Sequence, residues 1–317
     1  MKTVEAAGVH AAVVESITEL VGETPILKLT KLSPAGGATV FAKLEYLNPG
    51  GSVKDRAAIG MIRRAEEQGI LRPGATLFEA TAGNTGIGLA LIGVNRGYRV
   101  VFFVPERMSQ EKVKVMEALG AEVHRTPDAE GMQGAIRRAR EAAAKMPNSF
   151  MASQFENQAN PEYHYETTAR EIFEQMRGKI DAVVIGIGTG GTFSGVARLL
   201  KERLPQALAI AVETQGSVLG GGPPGEHKVE GIGASFIPKT FDSRLADEIV
   251  MVRDPEAFDM VKQLARKEGI LGGSSGGANV YAAIEIAKRL GPGKRVVTII
   301  PDSSERYLSK GIFEGGK

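Results

Sequence analysis

The chain has 317 residues, 43% hydrophobic and 24% charged, a length suited to two domains or one large α/β unit and a composition that excludes disorder and collagen-like fibres. Lys plus Arg of 39 against Asp plus Glu of 37 leaves a net charge of +2, which excludes the basic footprint of a nucleic-acid binder. Zero cysteines exclude disulfides, Cys-ligated metal and a thiol nucleophile, and the four histidines, His10, His124, His164 and His227, never fall at metal-ligand spacing.

Along the chain, the opening MKTVEAAGVHAAVVES carries Glu5 and His10 within its apolar part, so no signal peptide is read. The longest apolar runs, Val100 to Val104 and Ala182 to Ile187, are strand-sized and far short of the roughly 18 residues that span a bilayer. No membrane contact and a cytoplasmic location are the expectation. Short β-branched or aromatic runs predict strands at 39–44, 76–80, 99–104, 121–125, 181–187, 208–213, 248–252 and 295–300. Helical spacing predicts helices at 54–68, 85–96, 109–119, 131–145, 161–177, 192–203, 255–268 and 277–290. This alternation reads as βα units on parallel sheets, and the continuous apolar runs VVFFV and AVVIGI as strands covered on both faces. The βα series restarts after Pro147 and Asn148, which places a domain break near 150. Gly216 to Lys228 reads as a surface loop.

Glycine makes up 40 of the 317 residues, well above an average near 7%, and it clusters beside predicted elements where backbone must approach something closely. In Asn48-Pro49-Gly50-Gly51-Ser52-Val53-Lys54-Asp55-Arg56, a turn leads to Ser52 as N-cap with Asp55 three residues on. Lys54 then sits in a first helical turn, where the positive end of the helix dipole biases its amine toward a depressed pKa. That position suits Schiff-base chemistry as well as a merely tolerated surface lysine. Thr81-Ala82-Gly83-Asn84-Thr85-Gly86 joins a strand to a helix and offers N–H groups and hydroxyls to a carboxylate or phosphate, or is an ordinary capped loop. Gly188-Thr189-Gly190-Gly191-Thr192 favours a phosphate cradle. The overlapping Gly186 to Gly191 also fits G-x-G-x-x-G with Glu213 ending the next strand, a rival reading as an NAD-binding oxidoreductase. Gly272-Gly273-Ser274-Ser275-Gly276 fits the G-x-S-x-G elbow, but no histidine follows His227, so a serine hydrolase fails on chain order.

Taken together and in this order, these motifs and Glu230-Gly231-Ile232-Gly233 resemble the β-family, or fold type II, of pyridoxal-phosphate enzymes. Within it the resemblance is to cysteine synthases (O-acetylserine sulfhydrylases), with cystathionine β-synthases next, and it runs from about Ile17 to Ser309. It implies an α/β fold of two three-layer αβα domains with mostly parallel twisted sheets, like the tryptophan synthase β chain. A smaller mobile substrate-loop domain would span 45–150, and a larger cofactor-phosphate-binding domain would take 1–44 and 151–317. Pyridoxal 5'-phosphate is the implied cofactor, and no metal is expected. Lys54 matches the lysine that carries the cofactor and moves the Cα proton, and Asn84 the residue that bonds the cofactor's 3'-oxygen. Gly188, Thr189, Gly190, Gly191 and Thr192 match its phosphate loop, and Ser274 the hydroxyl facing its ring nitrogen. Thr81, Ala82, Gly83 and Thr85, with Gln154, match the substrate-carboxylate loop, and Gly231 the segment that closes over the substrate.

The implied reaction is β-replacement, in which O-acetyl-L-serine and sulfide give L-cysteine and acetate through an enzyme-bound aminoacrylate. The same-class alternative condenses an activated serine with homocysteine. A neutral serine at the ring nitrogen leaves that nitrogen largely unprotonated, which favours β-elimination over racemisation or transamination. Ala82 departs from the family's usual serine, and removes one hydroxyl from the carboxylate loop. Val229-Glu230-Gly231, Met108 to Lys112 and Pro301-Asp302-Ser303 lean toward cystathionine β-synthases, and Glu305 to Ser309 toward cysteine synthases. A homodimer, with a serine acetyltransferase as candidate partner, is what the resemblance adds.

Overall fold

Residues 13–81, 83–106, 108 and 110–315 are described in a computed structural model; His10 and Ala82, singled out above, lie outside the described residues. The strands are β1 (Ile26–Lys28), β2 (Thr39–Leu44), β3 (Thr76–Ala80), β4 (Arg99–Pro105), β5 (Glu122–Thr126), β6 (Ser149–Met151), β7 (Ala182–Gly186), β8 (Leu208–Thr214), β9 (Glu248–Val252) and β10 (Arg295–Ile300). The α-helices are α1 (Lys54–Glu67), α2 (Asn84–Asn95), α3 (Gln110–Ala118), α4 (Gly131–Lys145), α5 (Ala159–Glu166), α6 (Thr168–Gln175), α7 (Gly191–Arg203), α8 (Asp254–Gln263) and α9 (Ser274–Leu290).

Two sheets form. One has the order β1-β2-β10-β7-β8-β9 and is parallel except for β1, which runs against β2; the other, β5-β4-β3-β6, is parallel throughout. Alternation along β7 explains why the six-stranded sheet is covered twice. Ala182 and Val184 join a cluster with α8 and α9 residues such as Val261 and Ala283, whereas Val183 and Ile185 join one with Ile172 of α6 and Phe193 and Val196 of α7. In the smaller sheet Leu77, Val100 and Phe102 pack on α1, α2 and α3, and Ala80 and Phe103 face Ala135 and Ala139 of α4. Both sheets are therefore the middle layer of a three-layer sandwich, as the unbroken apolar strands predict.

The differences from expectation have physical causes. β1 and β6 are three residues each, too short for alternation to register. The single helix predicted over 161–177 breaks at Thr167, whose hydroxyl donates to the Tyr163 carbonyl at 2.7 Å and competes with the helix backbone. The helix predicted to run to 268 ends as one π turn over Leu264–Glu268, before Gly269 at φ 71°. Ser52 and Asp55 form no capping box, because α1 begins at Lys54. The Asp55 carboxylate instead accepts from Gly50 N–H at 2.6 Å, and Ser52 Oγ from Lys54 N–H at 3.2 Å. No helix among the described residues is long and apolar enough to cross a membrane.

Candidate active site

Strand ends and helix starts converge on one cavity of about 350 Å³, within the usual range for small-molecule sites. Its walls include Thr81 after β3, Gly186 at the end of β7 and Pro301 and Asp302 after β10. They also include Lys54, Asn84, Thr192 and Ser275 at the starts of α1, α2, α7 and α9. Four helix N-termini facing one space favour an anionic ligand.

Lys54 is the first residue of α1. The segment before it is tied to the large sheet, since Val53 N–H donates to Pro301 O at 2.8 Å and Ser52 forms an isolated bridge with Asp302. α2 comes close to this turn because Gly88 has no side chain; a Cβ there would lie 3.0 Å from the Lys54 carbonyl. Burial in the cavity wall lowers the Lys54 pKa, and the Asp302 carboxylate acts in the opposite direction. The expected direction holds, with desolvation as the leading cause.

Thr81, Gly83, Thr85 and Gln154 line the same cavity. Thr85 Oγ1 donates to Gln154 Oε1 at 2.6 Å, and Gln154 N–H donates at 3.2 Å to Glu79, a buried carboxyl under the loop. Opposite them, Gly188, Thr189 and Thr192 face the cavity, while Gly190 and Gly191 form the turn behind. Gly190 is left-handed at φ 88°, and a Cβ on it would meet Phe241 N at 2.9 Å. A Cβ on Gly191 would strike Asn160, whose amide donates to Thr189 Oγ1 at 3.1 Å and to Gln154 O at 3.2 Å. The first N–H groups of α7 have no acceptor within the helix and are available to an anion. Thr192 Oγ1 contacts His164 Nε2 at 3.2 Å, and the His164 Nδ1 contacts Thr168 Oγ1 at 2.8 Å. Burial first, then the nearby Arg56 and Lys54 charges, holds His164 neutral, with its pKa well below the ordinary value.

Ser274 and Ser275 divide differently from expectation. Ser275 lines the cavity, and Ser274 Oγ, behind it, accepts from Glu230 N–H at 3.0 Å. Asn84 lines the cavity with both ends of its amide engaged: Nδ2 donates to Asp302 Oδ2 at 2.6 Å and Oδ1 accepts from Arg306 Nη1 at 2.5 Å. Gly231, at φ 88°, places its carbonyl where only a glycine at 188 fits.

Sequence reasoning assigned no role to Asp302, Tyr307, Lys112 or Glu230, all of which line the cavity. Lys112 Nζ is 3.1 Å from Glu230 and 4.3 Å from the Tyr307 ring centroid, and Lys310 also pairs with Glu230. Burial alone would raise the Glu230 pKa, but the two lysines hold it below the ordinary value. Asp302 had a readable signal, since it lies two residues past the end of the buried strand RVVTII, and strand carboxyl ends carry sites in parallel sheets.

A family profile described as "Pyridoxal-phosphate dependent enzyme" matches residues 17–302. The chain belongs to that family. It is 49% identical over 304 residues to an O-acetylserine dependent cystathionine beta-synthase of Bacillus subtilis (strain 168), covering 96% of this chain and 99% of that protein. It is also 49% identical over 302 residues to a cysteine synthase of Staphylococcus aureus (strain Mu50), covering 95% and 97%. A solved O-acetylserine dependent cystathionine beta-synthase from Helicobacter pylori superposes with a TM-score of 0.91 at 44% identity, covering 95% of this chain and 99% of that one. The chain is thus a pyridoxal-phosphate-dependent α/β enzyme of fold type II. The dinucleotide reading has no place here. Glu213, which that reading needs at the cavity, instead accepts from Gly220 N–H at 3.1 Å and does not line it.

The residues fit pyridoxal phosphate. An amine, Lys54, opens into the cavity, and the glycines at 188, 190 and 191 leave the α7 N-terminus uncovered, where any Cβ would collide with its surroundings. Lys112, Glu230 and Tyr307 fill the far wall with charge and ring surface that a phosphate cradle alone does not require.

Proposed function

We propose that this enzyme makes L-cysteine and acetate from O-acetyl-L-serine and sulfide by β-replacement. The observation that carries the reading is one cavity lined together by Lys54, the 81–85 loop with Gln154, and the 188–192 cradle. Pyridoxal phosphate, when bound, supplies the electron sink that labilises the Cα proton and the β-substituent. Gly188 to Thr192 and the start of α7 would hold its phosphate, Asn84 its 3'-oxygen, and the Ser275 hydroxyl, rather than the expected Ser274, would serve its ring nitrogen. Ser274 Oγ, behind the wall, accepts from Glu230 N–H and ties the start of α9 to the Gly231 segment. Thr81, Gly83, Thr85 and Gln154 bind the substrate carboxylate. Lys54, lowered by desolvation, takes the Cα proton and returns it after the nucleophile has added. Gly231 belongs to the segment that closes over the substrate. The domains are 45–150 and 1–44 with 151–317, and the first closes on the second. The enzyme is a cytoplasmic homodimer with a serine acetyltransferase as partner, readings that rest on the family resemblance.

One observation favours a second reading, homocysteine as the nucleophile. The Lys112 and Glu230 pair at the cavity wall offers one charge of each sign to an amino-acid zwitterion. Turnover with sulfide against homocysteine separates the two, and exclusive use of homocysteine overturns the first. For the common core, the pure protein is expected to be yellow and to change its visible spectrum on adding O-acetylserine, a change lost in Lys54→Ala. Borohydride followed by peptide mapping should place the label on Lys54. A label on another lysine overturns the reading.

A further inference from the structure

Asn160, the second residue of α5, is fully buried between Gln154 and the 188–192 cradle. Its amide nitrogen donates to Gln154 O at 3.2 Å and to Thr189 Oγ1 at 3.1 Å, which uses both of its hydrogens. The Gln154 carbonyl decides which end of the amide is which, because an amide oxygen set there would face another oxygen. The amide oxygen is buried without a hydrogen-bond partner and lies under the first residue of α7, where a Cβ on Gly191 would come within 2.1 Å of it. A buried acceptor without a donor is costly, so an apolar residue would serve mere packing better. What the position uses is the donor end. Thr189 is held from its other side, since its carbonyl accepts from the Thr240 hydroxyl. Among the described residues Thr189 Oγ1 has no hydrogen-bond partner besides Asn160, although Thr189 is buried and lines the cavity. With Asn160 occupying a lone pair of that oxygen, its own proton is left to the cavity side.

We infer that Asn160 is a positioning residue: by donating to Thr189 Oγ1 it turns the proton of that hydroxyl toward the cavity and makes Thr189 a donor to the cofactor's phosphate. A threonine hydroxyl without such a partner rotates and bonds back to neighbouring backbone. Asn160 is not on the cavity wall and acts only through Thr189. Its amide is anchored on the backbone of Gln154, so the donor direction of the cradle is set from a residue on the substrate side of the cavity.

The inference rests on the 188–192 loop holding the cofactor's phosphate, and its test separates the two. The full-length chain, stripped of cofactor with hydroxylamine, is titrated with pyridoxal 5'-phosphate and with pyridoxal, which lacks the phosphate, and binding is read from visible absorbance. Wild type should strongly favour the phosphorylated form. Asn160→Ala should lower that preference about tenfold, the scale of a charge-assisted hydrogen bond, with pyridoxal binding little changed. Thr189→Val should lower it at least as far, and adding Asn160→Ala to Thr189→Val should lower it by less than about twofold more. A merely structural role for Asn160 would weaken both ligands alike and leave their ratio unchanged. Asn160→Ser is the second variant, and the comparison is made on whichever of the two melts cooperatively. An unchanged ratio in that folded variant, or an undiminished loss in the Thr189→Val background, overturns the proposal while leaving the cofactor reading intact. Wild type binding both forms equally overturns the cofactor reading of the cradle and this inference with it.

Discussion

Glu79 sits under the 81–85 loop, accepting from Ala80 N–H at 3.0 Å and Gln154 N–H at 3.2 Å. Burial outweighs these bonds and raises its pKa from 4.5 to about 7. Between those values the unfolded chain has lost the proton that the folded chain keeps, so the stability contributed by this group falls as pH rises through about 7. Asp55, raised from 3.8 to about 7 by the same cause, adds a slope of the same sign. Glu79→Gln should flatten the pH dependence of the urea midpoint between about pH 4.5 and 7, removing roughly 3 kcal/mol of it. A variant with the wild-type slope would show that the carboxyl ionises freely when folded. At this scale the sequence was readable where a residue type is rare for its place. A lysine opening a helix after Asn-Pro-Gly-Gly is such a case. It was unreadable for Ser274 against Ser275, because one residue along the start of α9 turns a side chain by about 100° and only the packed helix says which faces the cavity.

Among the elements, β2, α1 and α6 are locked by charges that look ordinary in the sequence. Arg56 is fully buried, pairing with Glu45 at 2.7 Å and Glu171 at 2.6 Å, and Lys43 reaches Glu171 at 2.6 Å. Nothing in the pattern K43, E45, R56 and E171 marks them as interior, since burial comes from α2 and α5 packing on α1 and from Glu171 of α6 reaching across to Arg56. Arg56→Met should therefore cost about 3–5 kcal/mol, because it strands the Glu45 carboxylate in the core. Denaturant unfolding of the variant checks this, and a loss under about 1 kcal/mol would mean that water reaches the cluster. Burial works against Glu171, but Arg56 and Lys43 bring its pKa down to about 2. Its stabilisation is thus complete above the unfolded value near 4.5 and disappears as pH falls toward 2. Apart from the three-residue β1 and β6, the strands were legible to within a residue or two, most plainly β3, β4, β7, β8 and β10, which are buried on both faces. Thr167 shows where that legibility stops: its hydroxyl decides a helix break that apolar spacing does not register.

Across the whole molecule, the cavity draws walls from helices of both sheets, so the proposed closure of 45–150 on the rest would narrow it. Lys112 sits on α3 beside the smaller sheet, Glu230 lies in the Gly231 loop and Lys310 in the C-terminal turn. This three-member tie runs along the cavity wall and would tighten when a carboxylate draws the 81–85 loop inward. L-Alanine, which has no leaving group, serves as a non-reacting ligand. In the wild type it should slow amide exchange over Gln110–Ala118, measured by hydrogen–deuterium mass spectrometry. Glu230→Gln keeps the size of the side chain and removes the charge between the two lysines. Charge-assisted bonds are worth about 1.5 kcal/mol or more, so exchange over α3 in the liganded variant should run about tenfold faster than in liganded wild type. The unliganded proteins should differ less, because the ligand adds the inward pull of the 81–85 loop to a tie that is already made. Equal protection of α3 in both liganded proteins would place the closing contact elsewhere along the cavity wall.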